Sequence, residues 1–337
     1  MLGQTRAWEV AFESFASNVL DPLRADLAVC TGHDAGPNPF YERAKFVWQL
    51  DEPDDLGELY DRAVGDSSWR VLLRRDDLLF GGVEDADNPP HPRGTRQGLL
   101  VYLRWFLKEA LERARVVDAY DWLVVTRSDF LWPVPHPESR HLSNHRIYVL
   151  NGEHYGGVCD RHFIVPRRHI RRFLEIPGPV FTDPVGLSRR LDRRMFVHGW
   201  GYLNIERFLA ARLGELGLWR YVSFLPYVPF TVRAEGGSTG LIVGVYDEAL
   251  GLYVKYRAER ERSEISRGFI HDQESWRQYL APVRGAISRW RLLRAYRKRG
   301  LYERPFPLRE AHLRAGRRLR LNRVVQVLRR CGACSTR

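Results

Sequence analysis

The apolar run Trp122-Leu-Val-Val125 stops abruptly at Thr126-Arg127-Ser128-Asp129. A short run of large apolar side chains bounded by charge reads as a strand buried on both faces. Such a strand needs cover on both sides, which constrains the chain to a layered α/β arrangement. The charged residues then emerge at the strand's C-terminal end, where open α/β sheets hold their ligands. Arg127 and Asp129 stand two apart and so point to one side of an extended chain. One suits a phosphate and the other a metal bound to that phosphate. A structural salt bridge at a strand end reads equally well from these residues alone.

The rest of the pattern alternates in the same way. Apolar spacing near 3.6 predicts helices over 8–20, 97–115, 167–175 and 203–218, and a Pro followed by acids opens another over 53–64. Short apolar runs predict strands over 26–31, 69–73, 146–150 and 162–165, with a strand pair in 240–256 around Asp247-Glu-Ala-Leu-Gly251. Pro and Gly mark 32–39 and 81–94 as loops. The expected fold class is therefore α/β: a mainly parallel central sheet with helices on both faces, plus a basic helical C-terminal tail. The expected division is a domain over 1–270, a break near 270–284 and a tail over 284–337.

The net charge of +12 belongs to that tail, because residues 284–337 hold sixteen Arg and one Lys against two Glu, leaving the other 283 residues at −3. A near-neutral body with a basic appendage differs from a chain that is basic throughout. Apolar residues are threaded through the tail's Arg residues over 284–330, which reads as two basic amphipathic helices broken at Pro305-Phe-Pro307. Helices of that kind lie on anionic membranes or bind nucleic-acid phosphate. A solvated Arg-rich face packed on the body by its Leu stripe is the plainer reading. No apolar run reaches the roughly 20 residues that span a bilayer, and no apolar segment follows Met1 as in a signal peptide. Four scattered Cys do not make a disulfide framework, so the expected setting is cytoplasmic, with peripheral attachment to the inner face of a membrane through 284–330. Cys331-Gly-Ala-Cys334 is a lone pair with no second pair to complete a metal site.

Six stretches, in four groups along the chain, carry a resemblance. Gly3-Gln4-Thr5-Arg6 precedes Asn18-Val-Leu-Asp-Pro-Leu23 and Asp26-Leu-Ala-Val-Cys-Thr31. Tyr120-Asp-Trp-Leu-Val-Val-Thr-Arg-Ser-Asp129 follows, then Tyr155-Gly-Gly-Val-Cys-Asp-Arg-His-Phe163, then Gly201-Tyr-Leu-Asn-Ile-Glu-Arg207. In order and spacing these resemble the type-A (GT-A, Rossmann-like) glycosyltransferases. The likeness is to a bacterial, viral and plant group with an Arg-x-Asp motif, and it covers roughly residues 1–260. Two departures stand out. The apolar strand that should precede Gly3 is reduced to Met1-Leu2, and the usual Asp-x-Asp is Arg127-Ser-Asp129.

The resemblance implies transfer of a sugar from a nucleotide-sugar donor to a glycan, lipid-linked or small acceptor, with Mn²⁺ or Mg²⁺ as a candidate cofactor. It implies Gly3, Gln4, Arg6, Arg127 and Asp129 at the donor, and Asp129 with His198 at the metal. Asp160 and Glu206 are the candidate catalytic carboxylates, and Trp200, Tyr202 and Asn204 the acceptor contacts. Each also has a plainer reading: a strand–helix turn for Gly3 to Arg6, an ion pair with Arg161, Arg167 or Arg168 for Asp160, and a core Trp and surface His at Trp200 and His198. Asn204 and Glu206 read equally as the first turn of a helix, where an acid is favoured by the dipole. The competing function is a non-catalytic protein that binds an anionic surface, membrane before nucleic acid, through its tail. A transferase fold without activity is a third reading.

Overall fold

The computed structural model describes residues 1–32, 36–73, 78–84, 96–234, 238–239, 242–282, 284–303 and 305. Twelve strands occur among them: β1 (Leu27–Thr31), β2 (Ala44–Gln49), β3 (Trp122–Thr126), β4 (Phe130–Leu131), β5 (Ile147–Leu150), β6 (His162–Pro166), β7 (Val222–Leu225), β8 (Phe230–Arg233), β9 (Ser238–Thr239), β10 (Ile242–Val243), β11 (Val245–Asp247) and β12 (Leu252–Val254). The helices are α1 (Trp8–Phe15), α2 (Asp21–Leu23), α3 (Pro39–Arg43), α4 (Gly57–Val64), α5 (Gln97–Arg113), α6 (Arg167–Leu174), α7 (Gly178–Thr182), α8 (Pro184–His198), α9 (Ile205–Glu215), α10 (Arg257–Arg267), α11 (Gln273–Leu280) and α12 (Arg284–Lys298).

Two ladders, β2-β1 and β3-β6-β5-β7, are joined by the first residues of the chain. Leu2 bridges Cys30 in parallel and donates its N–H to the Thr126 carbonyl at 2.9 Å. Ser128 Oγ donates to the Gln4 carbonyl two residues further along, at 2.6 Å. Leu2 thus bridges β1 to the end of β3, because both neighbours present backbone partners. The C-terminal end of β3 and the Gly3–Arg6 loop emerge side by side.

The structure shows a mixed α/β fold. The pairs β1·β2 and β5·β7 are parallel, but β6 is antiparallel to both β3 and β5. A parallel return from β5 to β6 would need a crossover, usually a helix. Residues 151–161 contain none, so the chain doubles back. A mainly parallel sheet is therefore not what these pairings display. Helices do cover both faces. Along β5 and β6, Ile147, Val149, Phe163 and Val165 enter one core with Tyr102, Leu107, Leu187 and Phe208, while Tyr148, Leu150 and Ile164 enter another with Phe15, Trp276 and Leu292. Period-two alternation with both sides apolar is what a sheet buried on two faces requires.

A second, antiparallel sheet runs β11-β12-β8-β4. Its edge strand β4 begins one residue after Asp129, so the chain leaves one sheet and enters the other there. The hairpin β11–β12 matches the strand pair expected around Asp247–Gly251.

Two expectations change. Residues 69–73 are not a strand: Ser68–Leu72 is a tight 3₁₀ turn. Trp69 and Leu72, both buried, stand three apart, which fits a three-residue period and not a two-residue one. The break expected near 270–284 holds α11, closed by a capping box between Asp272 and Ser275. The first part of the tail is built into the body. Leu292 and Tyr296 of α12 are buried, and Tyr296 Oη meets Ser266 Oγ at 2.6 Å and accepts from the Tyr227 N–H at 3.2 Å. The expected second basic helix and Cys331-Gly-Ala-Cys334 lie outside the described residues. No helix among those described is long and apolar enough to cross a membrane. Cys30 and Cys159 are free, buried thiols.

Candidate functional site

The end of β3 delivers Asp129 into a buried cluster of cations. Its carboxylate accepts from Arg127 through both oxygens, at 2.9 Å from Nε and 3.0 Å from Nη2. Arg233 Nη1 donates to the same carboxylate at 2.8 Å. The backbone sets this meeting, since Val232 N–H donates to the Asp129 carbonyl at 2.8 Å and places the end of β8 against the end of β3. Burial alone would raise the Asp129 pKa, but the charges of Arg127 and Arg233 overcome it and hold the carboxyl well below the usual carboxylate range.

Lys255 joins from the strand beyond. Its N–H donates to the Thr231 carbonyl at 2.8 Å, so it stands two residues along from the Tyr253–Arg233 pair and shares that face. Burial and the neighbouring Arg127 and Arg161 push the Lys255 amine down to about 7, with Asp129 pulling the other way. Arg6 is exposed and donates to Gln4 Oε1 from Nε at 2.8 Å and Nη2 at 2.6 Å. It lies within electrostatic reach of Arg127, Asp129 and Arg233. Gly3 takes a left-handed φ of 101° at the turn out of the sheet. The donor residues expected from sequence, Gly3, Gln4, Arg6, Arg127 and Asp129, are therefore neighbours in space.

A second group adjoins the first. Arg161 lies between carboxylates: it donates to Glu259, and stands 3.7 Å from Glu153 and 3.9 Å from Asp160. Arg127 feels both Arg161 and Asp160, so the two groups are continuous. Glu153 also accepts from Arg262 and from Tyr155 Oη. Glu153 and Tyr155 both have left-handed backbones, with φ of 52° and 43°. Two such residues in a three-residue span store strain, a feature that collects at functional sites.

Glu206 is buried on the first turn of α9, and its Oε2 has no hydrogen-bond partner. Burial first, and the negative Asp160 second, push its carboxyl up to about 8. At neutral pH it therefore holds a proton, which changes the base expected from sequence into a donor. Gly157 sits against this turn so closely that a Cβ there would meet the Glu206 carbonyl at 2.0 Å. The close approach that Gly156-Gly157 permits is to the protein's own helix. Asn204, expected at the acceptor, is the N-cap of α9: its side chain accepts from the Arg207 N–H at 2.9 Å and donates to the Tyr155 carbonyl at 3.1 Å.

Trp200 and Tyr202 come together, but Arg207 lies over both rings, 5.6 Å and 4.2 Å from their centroids. His198 ends α8, and its ring lies tilted against Trp200 with centroids 5.2 Å apart. A divalent cation does not fit the residues at Asp129. Both Asp129 oxygens already accept from guanidinium groups, and the surrounding charges are Arg127, Arg233 and Lys255. Hard cations seek several oxygen ligands. Among the described residues no group of three or more His, Cys, Asp or Glu is placed to hold a metal.

No family model, curated protein or solved structure matches this chain. What the site can do follows from its own chemistry. Arg233, Lys255 and Glu153 were missed from sequence because their charged partners stand far along the chain; Arg161 was expected as an ion-pair partner of Asp160 and stands 3.9 Å from it. The one available signal was Arg233 closing the apolar strand Phe230-Thr-Val-Arg233.

Proposed function

We propose that the protein is a glycosyltransferase that moves a sugar from a nucleotide-sugar donor to a glycan, lipid-linked or small acceptor. The observation that carries this reading is the gathering of Arg6, Arg127, Arg233 and Lys255 about one carboxylate at the end of β3. A nucleoside-diphosphate sugar brings two phosphates, and its diphosphate gains negative charge as the bond to the anomeric carbon breaks. Fixed cations in a partly dry site stabilise that charge. A layered α/β fold with the Gly3–Arg6 loop beside Arg127 and Asp129 is also what the GT-A resemblance implies, and we read the central sheet as a GT-A-like one.

The carboxyl pair Asp160 and Glu206 adjoins this cluster, and Trp200 and Tyr202 gather under Arg207, the residue after Glu206. We assign it to the acceptor. An acceptor hydroxyl must lose its proton as its oxygen bonds to the sugar. Asp160 and Glu206 are the two carboxyl groups placed to manage that proton, with burial favouring the protonated form of Glu206.

Transfer to a lipid-linked acceptor is favoured by one feature of α12. Ile287 and Trp290 are exposed at 40% and 56% on a helix otherwise rich in Arg. An apolar pair framed by cations suits an anionic membrane surface.

The test is a thermal-shift screen against UDP-, GDP-, TDP- and CMP-sugars, followed by mass spectrometry of the products. We expect one nucleotide family to stabilise the protein and its sugar to appear on an acceptor or as free sugar. No stabilisation by any of the four families would sink the reading and leave surface binding through the basic tail as the function.

A further inference from the structure

We infer that Arg233 and Lys255 hold the donor's diphosphate directly, in place of a divalent metal. This inference rests on the transferase reading and goes beyond it to the means of charge neutralisation. Arg233 is buried to 3% exposure. Its Nη1 is used by Asp129 at 2.8 Å and by the Val232 carbonyl at 3.0 Å. Its Nε and Nη2 are buried with no hydrogen-bond partner. A guanidinium has five N–H donors in a rigid fork, and three of these are left open on one side of the group. Buried donors left open are costly, and an anion with paired oxygens is the partner such a fork matches.

The charge count points the same way. Asp129 is the one carboxylate bonded to Arg127 and Arg233, and no carboxylate among the described residues lies within ion-pair distance of Lys255. Burial and the neighbouring cations weaken the hold of Lys255 on its proton, and an arriving diphosphate would restore it. A metal at the same place would add two positive charges to a cluster already in excess, and would have to displace guanidinium groups from Asp129. Arg127 is then the support that keeps Asp129 ionised and Arg233 aimed. Arg233 and Lys255 are the groups that meet phosphate oxygens.

The experiment is titration calorimetry of the full chain with inorganic pyrophosphate and with UDP, GDP and TDP, in EDTA and again in Mn²⁺. Binding in EDTA should be within about twofold of binding in Mn²⁺. Lys255→Gln leaves no ion pair broken and should weaken binding by roughly tenfold while the thermal midpoint holds. Arg233→Lys keeps a charge for Asp129 but removes the fork, and should weaken it by a similar factor. Binding that requires Mn²⁺ would overturn the inference and leave the transferase reading standing. Binding in EDTA that neither substitution changes would place the anion elsewhere and also overturn it. Binding of neither pyrophosphate nor any of these nucleotides in either buffer would overturn the inference, and a donor screen that fails with all four nucleotide families would overturn the transferase reading with it.

Discussion

Asp129 and Arg233 stand 104 positions apart in sequence and meet at 2.8 Å, with both side chains nearly excluded from water. The contact ties the central sheet to the antiparallel one at the point where the chain passes between them. It also fixes how the candidate donor site responds to mutation.

Asp129→Ala should unfold the protein before it reports on catalysis. Removing the carboxylate leaves Arg127 and Arg233 buried without a counter-charge. Breaking one side of a buried ion pair costs about 3–5 kcal/mol. Urea unfolding followed by fluorescence of the ten Trp residues is the measurement. A midpoint equal to the wild type would show that the cluster contributes nothing to stability.

Glu206 should make the protein less stable as pH rises. Its folded pKa of about 8 lies above the model-peptide value of 4.5. Between those values the unfolded chain ionises Glu206 and the folded chain does not, so the unfolded state binds fewer protons and stability falls with pH. The loss is at most on the order of 5 kcal/mol across the window. Glu206→Gln mimics the protonated form and should flatten the decline between pH 5 and pH 8. Unfolding curves at several pH values compare the two slopes.

A buried histidine pair gives the opposite slope. His136 Nδ1–H donates to the Pro137 carbonyl at 2.9 Å, which leaves its Nε2 to accept from His162 Nε2–H at 3.3 Å. His162 Nδ1 then accepts from Thr126 Oγ1–H at 3.0 Å. Every proton in this chain has one place, and both rings must be neutral. Burial pushes His136 down to about 4 from 6.5, and burial with the neighbouring His136 holds His162 well below the usual imidazole range. Stability is full above pH 6.5 and is lost as pH falls toward 4, by on the order of 3 kcal/mol from His136. NMR titration of the two imidazoles should show no protonation above pH 5, and an ordinary pKa at either ring would refute the arrangement.

The tail should divide at about residue 303. Truncation after Glu303 should leave a folded protein, because Arg262 Nη2 to Glu303 at 2.5 Å and the His154 N–H to Glu303 at 2.6 Å are kept. Truncation before α12 removes Leu292 and Tyr296 from the core and should abolish folding. Leu292→Ala should cost about 2–5 kcal/mol. Ile287→Ser with Trp290→Ser should leave stability within about 0.5 kcal/mol and weaken sedimentation with phosphatidylserine vesicles. Unchanged sedimentation would remove α12 from membrane contact.

The sequence by itself determined the layered α/β class, the position of β3 and the shared side of Arg127 and Asp129. Those follow from short-range rules: apolar runs make buried strands, and residues two apart share a face. It also placed the Gly3–Arg6 loop and the helices α1, α4, α5, α6 and α9 to within a few residues, but not α8, α10 or α11. Tertiary structure alone decided that β6 runs against its neighbours, that Leu2 bridges β1 to the end of β3, and that 284–303 belongs to the body. It alone brought Arg233 and Lys255 to Asp129, and Asp160 to Glu206. Pairing sense, burial and pKa depend on partners far along the chain, and the energy of a buried charge depends on all its neighbours at once. Local pattern carries no record of either.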